Sequence, residues 1–395
     1  MNFIALFQAN RVPVLLKTED EDRLANPQDR LRVLALTVRA DIGGGPEHLY
    51  QLVQGFGGGV DTIIACPDEP PYRQRFAALP ALPGIADIPH RAFRPGALFA
   101  LARLARRAEV SIIHSHGKGA GLYGRLLAVL VRRPCVHTFH GLHTGEYPPL
   151  KKALYLALER VLGRFTSAAI CVSRGEREEI RTTRILPSRK LRLVENGVAL
   201  PDRPADRRRR AKLRIVAVSR YDHQKNPDLL IAVARSLKEM TQAPFRITVL
   251  GDGDRLEEMR QQVRAEGLED VLDLSGPSES PRDIFRVSDI FLSTSRWEGM
   301  PLAVLEAMSE GLPVVATDVV GNRDVVEDGK TGRLYPDGNA TAAAEAILLL
   351  TRDEGAAMGQ AGRAAVAQNH SVQRMVGQTL AIYRQCLAGP ERGKR

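Results

Sequence analysis

The chain has 395 residues, of which 44% are hydrophobic and 26% charged, with a formal net charge of +10. These proportions suit a globular protein with room for two domains, exclude a disordered or fibrous chain, and leave no apolar run of the roughly 18 residues that a membrane-spanning helix needs. Cys66, Cys135, Cys171 and Cys386 are scattered in mostly apolar surroundings without C-x-x-C spacing. Buried thiols in a reducing cytoplasm are expected, and neither disulfides nor a cysteine metal site. Residues 1–30 mix a short apolar opening with the acidic Thr18–Asp22 and show no period. They read as a mobile extension, and they lack the basic start and small-residue cleavage site of a signal peptide. The fold is expected to begin with a strand at Leu31–Val38. A glycine loop follows, Gly43-Gly-Gly-Pro-Glu-His48, then a helix over Leu49–Gln54. Such a loop lets backbone approach a phosphate or sugar, but it is not the G-x-G-x-x-G of a dinucleotide site.

Strand and helix patterns then alternate at Asp61–Cys66, Gly96–Arg107, Val110–His114, Gly119–Val131 and Cys135–His140. That alternation predicts a parallel sheet covered on both faces. Tyr147–Phe165 reads as a helix with Leu154, Leu158 and Leu162 along one side, followed by strands at Ala168–Ser173 and Leu191–Asn196. Asp202–Arg210, ending in four arginines, is too polar to pack and marks a linker. A second set of patterns starts with the strand Leu213–Ser219, the loop Arg220–Pro227 and a helix from Asp228. Strands at Arg246–Gly251 and Val271–Gly276 continue it, Asp252-Gly-Asp254 reads as a turn, and a last helix spans about Val372–Leu387. The domains predicted are 31–201 and 213–371 joined by 202–212, with 372–395 forming the final helix and tail.

Three groups of residues carry chemistry. In Ser293–Asp318, Glu298 and Glu306 stand eight positions apart across a strand–loop–helix junction, with Pro301 in the first helical turn and Gly311 at its end. The free amides of Leu302 and Ala303 would open a helix beyond a strand's carboxyl end, where phosphate binds readily. A carboxylate beside a diphosphate is repelled, so Glu306 suits ribose hydroxyls and Glu298 the hydroxyls of a sugar. Arg220 and Lys225, five apart at the end of a strand, suit one diphosphate, Arg as a planar fork and Lys as a point charge. Histidines cluster at His114, His116, His137, His140 and His143. A metal hydrolase would need acidic ligands as well, and only Glu146 is near, so no metal is expected.

Arg296–Met308 with Gly311–Asp318, and Asp328-Gly-Lys-Thr-Gly332 after them, resemble the nucleotide-sugar segment of family-4 retaining glycosyltransferases; Arg220 and Lys225 match that family's R-x4-K diphosphate pair. Many relatives carry Gly where Pro301 stands. The resemblance runs from about Leu31 to the C-terminus and implies the GT-B architecture, two Rossmann-like doubly wound α/β domains facing a cleft, with the last helix crossing back to the first domain. It implies transfer of a hexose or N-acetylhexosamine from a nucleotide-diphosphate sugar to a hydroxyl, with retention and without divalent metal or other cofactor. Uridine is the expected base. The resemblance assigns Arg220, Lys225, His140 and Glu298 to catalysis. Gly44, Gly45, Gly299, Met300, Pro301, Leu302, Ala303 and Glu306 bind the donor. A nucleotide-sugar epimerase or hydrolase on the same fold, and a non-catalytic sugar-nucleotide-binding partner of another transferase, are the rival readings.

Between Arg94 and Arg164 twelve Lys and Arg stand against Glu109, Glu146 and Glu159, a local excess of nine. Such an excess suits nucleic acid or an anionic membrane surface. No zinc finger, RNP-like strand or helix-turn-helix accompanies it, so nucleic acid is not expected. The expected partners are the donor, a saccharide or lipid-linked acceptor of bacterial surface polysaccharide, and the inner face of the cell membrane.

Overall fold

The computed structural model describes residues 30–80, 82–142, 147–202, 211–278, 280–351 and 353–388. Apart from Arg30, the expected N-terminal extension lies outside the described residues. So do the arginine run of the linker, His143, Glu146 and the tail beyond residue 388.

Apolar runs rich in β-branched residues become strands buried on both faces, and the amphipathic segments between them become the covering helices. The first sheet contains β1 (Leu31–Thr37), β2 (Val60–Cys66), β3 (Gly84–Asp87), β4 (Ile112–His116), β5 (Cys135–Thr138), β6 (Ala168–Cys171) and β7 (Leu191–Leu193). Its order is β3-β2-β1-β4-β5-β6-β7, with every described pair parallel. Helices α1 (Gly44–Phe56), α2 (Tyr72–Ala77), α3 (Pro95–Arg107), α4 (Gly117–Val131), α5 (Pro149–Gly163) and α6 (Arg174–Thr182) connect these strands. The second sheet contains β8 (Leu213–Val218), β9 (Phe245–Leu250), β10 (Leu272–Gly276), β11 (Ile290–Ser293), β12 (Val314–Thr317) and β13 (Gly332–Tyr335). It repeats the pattern as β10-β9-β8-β11-β12-β13, again parallel. Its helices are α7 (Pro227–Met240), α8 (Leu256–Ala265), α9 (Pro281–Val287), α10 (Leu302–Ser309), α11 (Val320–Val325), α12 (Ala340–Leu350) and α13 (Asp353–Asn369). In each sheet the order reverses beside the first strand, between β1 and β4 and between β8 and β11. Ligands of doubly wound folds bind in the crevice at that reversal, outside the strands' carboxyl ends.

The last helix, α14 (Val372–Ala388), packs against the first domain. Met375, Val376, Ile382 and Tyr383 join the core formed by β1, β2 and α1, and Tyr383 Oη lies 2.6 Å from His114 Nδ1. A Cβ on Gly55 of α1 would stand 2.6 Å from Val376 Cγ2, so the helices approach through the missing side chain. The two crossings between domains run side by side, because Val198 N donates to His370 O and Val198 pairs with Ser371.

Two expectations change, and the orientation of α5 is added. Gly44 and Gly45 are not a loop: they form the first turn of α1, where Pro46 needs no partner for its absent N–H. Pro301 is extended, with φ −76° and ψ 106°, and caps α10 instead of starting it. In α5 Leu162 is buried, but Leu154 and Leu158 face outward, because the inward side is occupied by Glu159, Tyr155 and Leu156.

Candidate active site

The wall from the second domain is built on the reversal between β8 and β11. Arg220 leaves the end of β8, and the loop 294–300 leaves the end of β11. The two loops are stitched together: Thr294 Oγ1 donates to Lys225 O at 2.9 Å, Arg296 N to Gln224 O at 2.8 Å, and Gln224 Nε2 to Trp297 O at 3.1 Å. Lys225 Nζ lies 2.5 Å from Glu298 Oε1, which also accepts from Ser295 Oγ at 2.7 Å. Burial alone would raise the Glu298 carboxyl; Lys225, Ser295 and Arg220 outweigh it and hold the group below the usual carboxylate range. Arg220 reaches Gln224 Oε1 at 2.8 Å and Asp222 at 3.0 Å. Both cations are thus held in place by polar neighbours.

At α10 the half-buried Glu306 carboxyl is pushed up to about 7. Burial is the main cause, and Glu47 across the cleft adds to it, while Arg282 and Arg75 oppose it. Gly44 faces the same helix, since a Cβ there would meet Leu302 Cδ1 at 3.9 Å. Met300 is committed to the domain interface. Its sulfur lies 3.0 Å from Asn196 N and its carbonyl accepts from Asn196 Nδ2 at 3.0 Å. Its side chain and that of Leu302 are buried. Ala303 is half-buried in the first turn of α10.

The wall from the first domain is built of histidines. His116 ends β4, and His140, with φ 60°, follows β5. His116 Nδ1 lies 3.2 Å from His140 Nε2, and the ring of His48 stands 4.7 Å from that of His140. Asn196 Oδ1 accepts from His48 Nδ1 at 2.9 Å, so one asparagine links α1 to Met300 of the opposite domain. Burial holds His48 down at about 4, and His114 at about 3; it also pushes His116 well below the usual range. His48 and His116 therefore offer neutral imidazoles at pH 7, suited to hydroxyls. Gly299 closes the gap between walls, as a Cβ there would stand 3.2 Å from Gly141 N. Glu176 fixes the Gly141 turn by accepting from the amides of Gly141 and Val172, and burial raises its carboxyl to about 7.

His48, His116 and His140 each bring a ring nitrogen within 4.8 Å of the others, the grouping among the described residues that could hold a metal. The Nδ1 atoms of His48 and His116 are already engaged, by Asn196 and His140. The structure thus brings Arg220, Lys225, Glu298, Glu306, His140, Gly44 and Gly299 to one cleft. Sequence reasoning missed His48, Asn196 and the cluster in which Glu47 accepts from Tyr72 Oη (2.5 Å) and Arg75 Nη1 (2.8 Å). Glu47 stands two residues after the glycine run, past Pro46, a signal that could have drawn attention to it.

Known proteins match this arrangement. Residues 42–202 match the profile described as Glycosyltransferase Family 4, and residues 202–365 that of Glycosyl transferases group 1. The chain is 29% identical over 273 residues to the UDP-Gal:alpha-D-GlcNAc-diphosphoundecaprenol alpha-1,3-galactosyltransferase of Escherichia coli, covering 65% of this chain and 70% of that protein. It is 30% identical over 296 residues to the D-inositol 3-phosphate glycosyltransferase of Arthrobacter sp. (strain FB24), covering 69% and 70%. The crystal structure of Anabaena Alr3699/HepE in complex with UDP-glucose superposes with a TM-score of 0.77 at 20% identity, covering 89% of this chain and all of that one. With two doubly wound domains, a cleft between their reversal points and these matches over both halves, the chain belongs to the family-4 glycosyltransferases of GT-B fold.

Proposed function

We propose that the protein moves a hexose or N-acetylhexosamine from a UDP-sugar to a hydroxyl of a lipid-linked or saccharide acceptor in bacterial surface polysaccharide synthesis. Transfer retains the anomeric configuration, needs no divalent metal, and takes place with the enzyme peripheral on the inner face of the cell membrane. One observation carries the reading: Lys225 and Arg220 converge on the mouth of the cleft beside Glu298 and the start of α10, opposite neutral histidines. Cations and helix amides suit the charge that grows on a departing diphosphate, and they do so in place of a metal. The histidines suit the hydroxyls of the sugar. The donor class is supported by the UDP-glucose complex of the fold neighbour, and the acceptor class by the diphosphoundecaprenol named for the Escherichia coli relative.

In the mechanism that fits, the glycosidic bond to diphosphate loosens into an oxocarbenium-like centre. The acceptor hydroxyl attacks the same face, and its proton passes to the leaving phosphate oxygen. Arg220 and Lys225 stabilise that oxygen, Glu306 holds the ribose, and Glu298 anchors Lys225 until the donor arrives. The test is a donor screen followed by transfer. Trp297, the one tryptophan of the sequence, lies in the donor loop, so its emission reports binding. UDP-sugars should bind, and an α-linked donor should give an α-linked product on a lipid-diphosphate sugar. A β-glycoside by NMR coupling refutes retention, and preference for another base refutes the uridine assignment.

A further inference from the structure

The outward side of α5 contradicts the rule for a helix facing water. Leu150, Leu154, Leu158 and Val161 are 73%, 64%, 47% and 47% exposed, and Phe165 just beyond the helix is 40% exposed. Their spacing of four, four, three and four residues makes one continuous stripe, about 22 Å long at the helical rise. Ala153 and Ala157 are exposed in the same stripe. The inward side holds the charge instead. Glu159 is buried and ion-paired to the buried Arg125 of α4 at 2.7 Å. That pair fixes the rotation of α5, because turning the leucines inward would pull Glu159 away and strand Arg125 in the core.

The surroundings identify what covers the stripe. Lys151, Arg160 and Arg164 are exposed along it. At the end of α4, Val129 and Leu130 are exposed beside Arg132 and Arg133, and Arg106 of α3 reaches Leu130 O at 2.6 Å. Among the described residues from Arg94 to Phe165 the acids are Glu109 and Glu159. Glu109 is 2.6 Å from Arg32, and Glu159 is buried. An apolar stripe edged by cations complements acyl chains beneath anionic headgroups. A second copy of the chain suits it less: a two-fold contact would press the Lys151, Arg160 and Arg164 edge of one stripe against that of the other, and α5 itself exposes no acid. No helix among the described residues is long and apolar enough to cross a membrane, so the contact lies in the interface plane.

We infer that α5 is a membrane-docking helix that inserts Leu150, Leu154, Leu158, Val161 and Phe165 into an anionic lipid surface. The inference rests on the reading of a lipid-linked acceptor at a membrane and names the element that meets the membrane. Because α5 follows the carboxyl end of β5, its first turn lies on the cleft side of the sheet, where a lipid-held acceptor would enter.

The test is co-sedimentation of the full chain with vesicles of phosphatidylglycerol and phosphatidylcholine at low salt, against phosphatidylcholine alone. Wild type should pellet with the anionic vesicles and come off at high salt. Leu154→Glu with Leu158→Glu should weaken partition by about a hundredfold, each leucine accounting for roughly tenfold. The thermal midpoint and the UDP-sugar titration of Trp297 should not change, since both leucines are exposed. Arg160→Ala with Arg164→Ala should weaken partition by about 25-fold and reduce its salt dependence. Wild type that ignores anionic vesicles, or a leucine variant that pellets as well as wild type, overturns the inference. So does a dimer that this variant splits, which would assign the stripe to a second copy. Docking without transfer to a lipid-diphosphate acceptor would sink the acceptor reading alone, whereas transfer in detergent by a protein that ignores vesicles would sink the docking helix alone.

Discussion

Glu306 offers the sharpest test of the site, because its carboxyl titrates at about 7 in the free protein, where an ordinary glutamate titrates near 4.5. The direction follows from linkage. A carboxyl raised by folding binds its proton more tightly in the native state between those two values. Its contribution to stability is therefore largest below about 4.5 and declines as pH rises through 7. Ribose hydroxyls reverse the preference, since they donate to the ionised form. Donor binding should release protons at pH 7, and affinity should fall as pH drops. With the carboxyl ionised in roughly one molecule in eleven at pH 6 and ten in eleven at pH 8, wild type should lose about five- to tenfold in affinity between them. Glu306→Gln keeps an acceptor but no charge. Its affinity should stay flat at the level wild type shows at pH 6. Glu306→Ala removes the acceptor and should cost about 1.5–3 kcal/mol at pH 8, roughly 10- to 150-fold. The assay is calorimetric titration with an intact UDP-sugar in buffers of different ionisation heat. Free UDP is avoided because its terminal phosphate titrates near 6. Glu176 also titrates at about 7, and whatever it contributes persists in the glutamine variant. A glutamine variant as tight as wild type at pH 8, or a wild type indifferent to pH, would refute the assignment of Glu306 to the ribose.

Lys225→Ala should lower the rate from bound donor by about 10²–10³-fold and donor affinity by less, because charge builds on the leaving oxygen in the transition state. Rapid-quench and binding measurements that show equal losses would contradict that role. Arg125→Ala leaves Glu159 buried without its partner and should destabilise the protein by about 3–5 kcal/mol; Arg125→Met with Glu159→Leu should recover most of it, as read from urea midpoints. Excess chelator should leave transfer intact. Loss of activity restored by manganese or magnesium would refute the metal-free mechanism and turn attention to His48, His116 and His140.

The sequence was most legible where structure is local. Leu31–Thr37 and Leu213–Val218 announce themselves as strands because both faces of a parallel sheet are buried, so β-branched and leucine runs need no alternation. Arg220 with Lys225, and Glu298 with Glu306, lie close along the chain, so their sharing of one wall follows from a single strand–loop–helix turn. The contacts that join the domains could not be read this way. His48 meets Asn196 across 148 positions, and Asn196 meets Met300 across 104. The inward face of α5 was not legible for another reason. Apolar spacing shows that Leu154 and Leu158 share a side, but the buried partner of Glu159 decides which side is inward.

The two walls divide the chemistry by charge. Beside the second sheet stand Arg220, Lys225 and the amides of α10, all positive towards a ligand. Beside the first stand His48 and His116, with burial holding both uncharged at neutral pH. On the proposed function, the diphosphate would be drawn to the second domain. The sugar of the proposed donor would then meet neutral rings, which discriminate by hydrogen bonds and not by charge. Asn196 couples the two steps, since it grips His48 with its carbonyl oxygen and the Met300 carbonyl with its amide nitrogen. A shift of the loop 294–300 would thereby reach the histidine wall through one side chain. Asn196→Asp would replace the donor to Met300 O with a second acceptor, separating the walls while leaving every charged donor contact in place. Such a variant should keep UDP affinity within about threefold, since a rotated side chain perturbs no phosphate ligand, yet lose discrimination between UDP-sugars. Unaltered sugar preference would show that the histidine wall recognises the donor without this link.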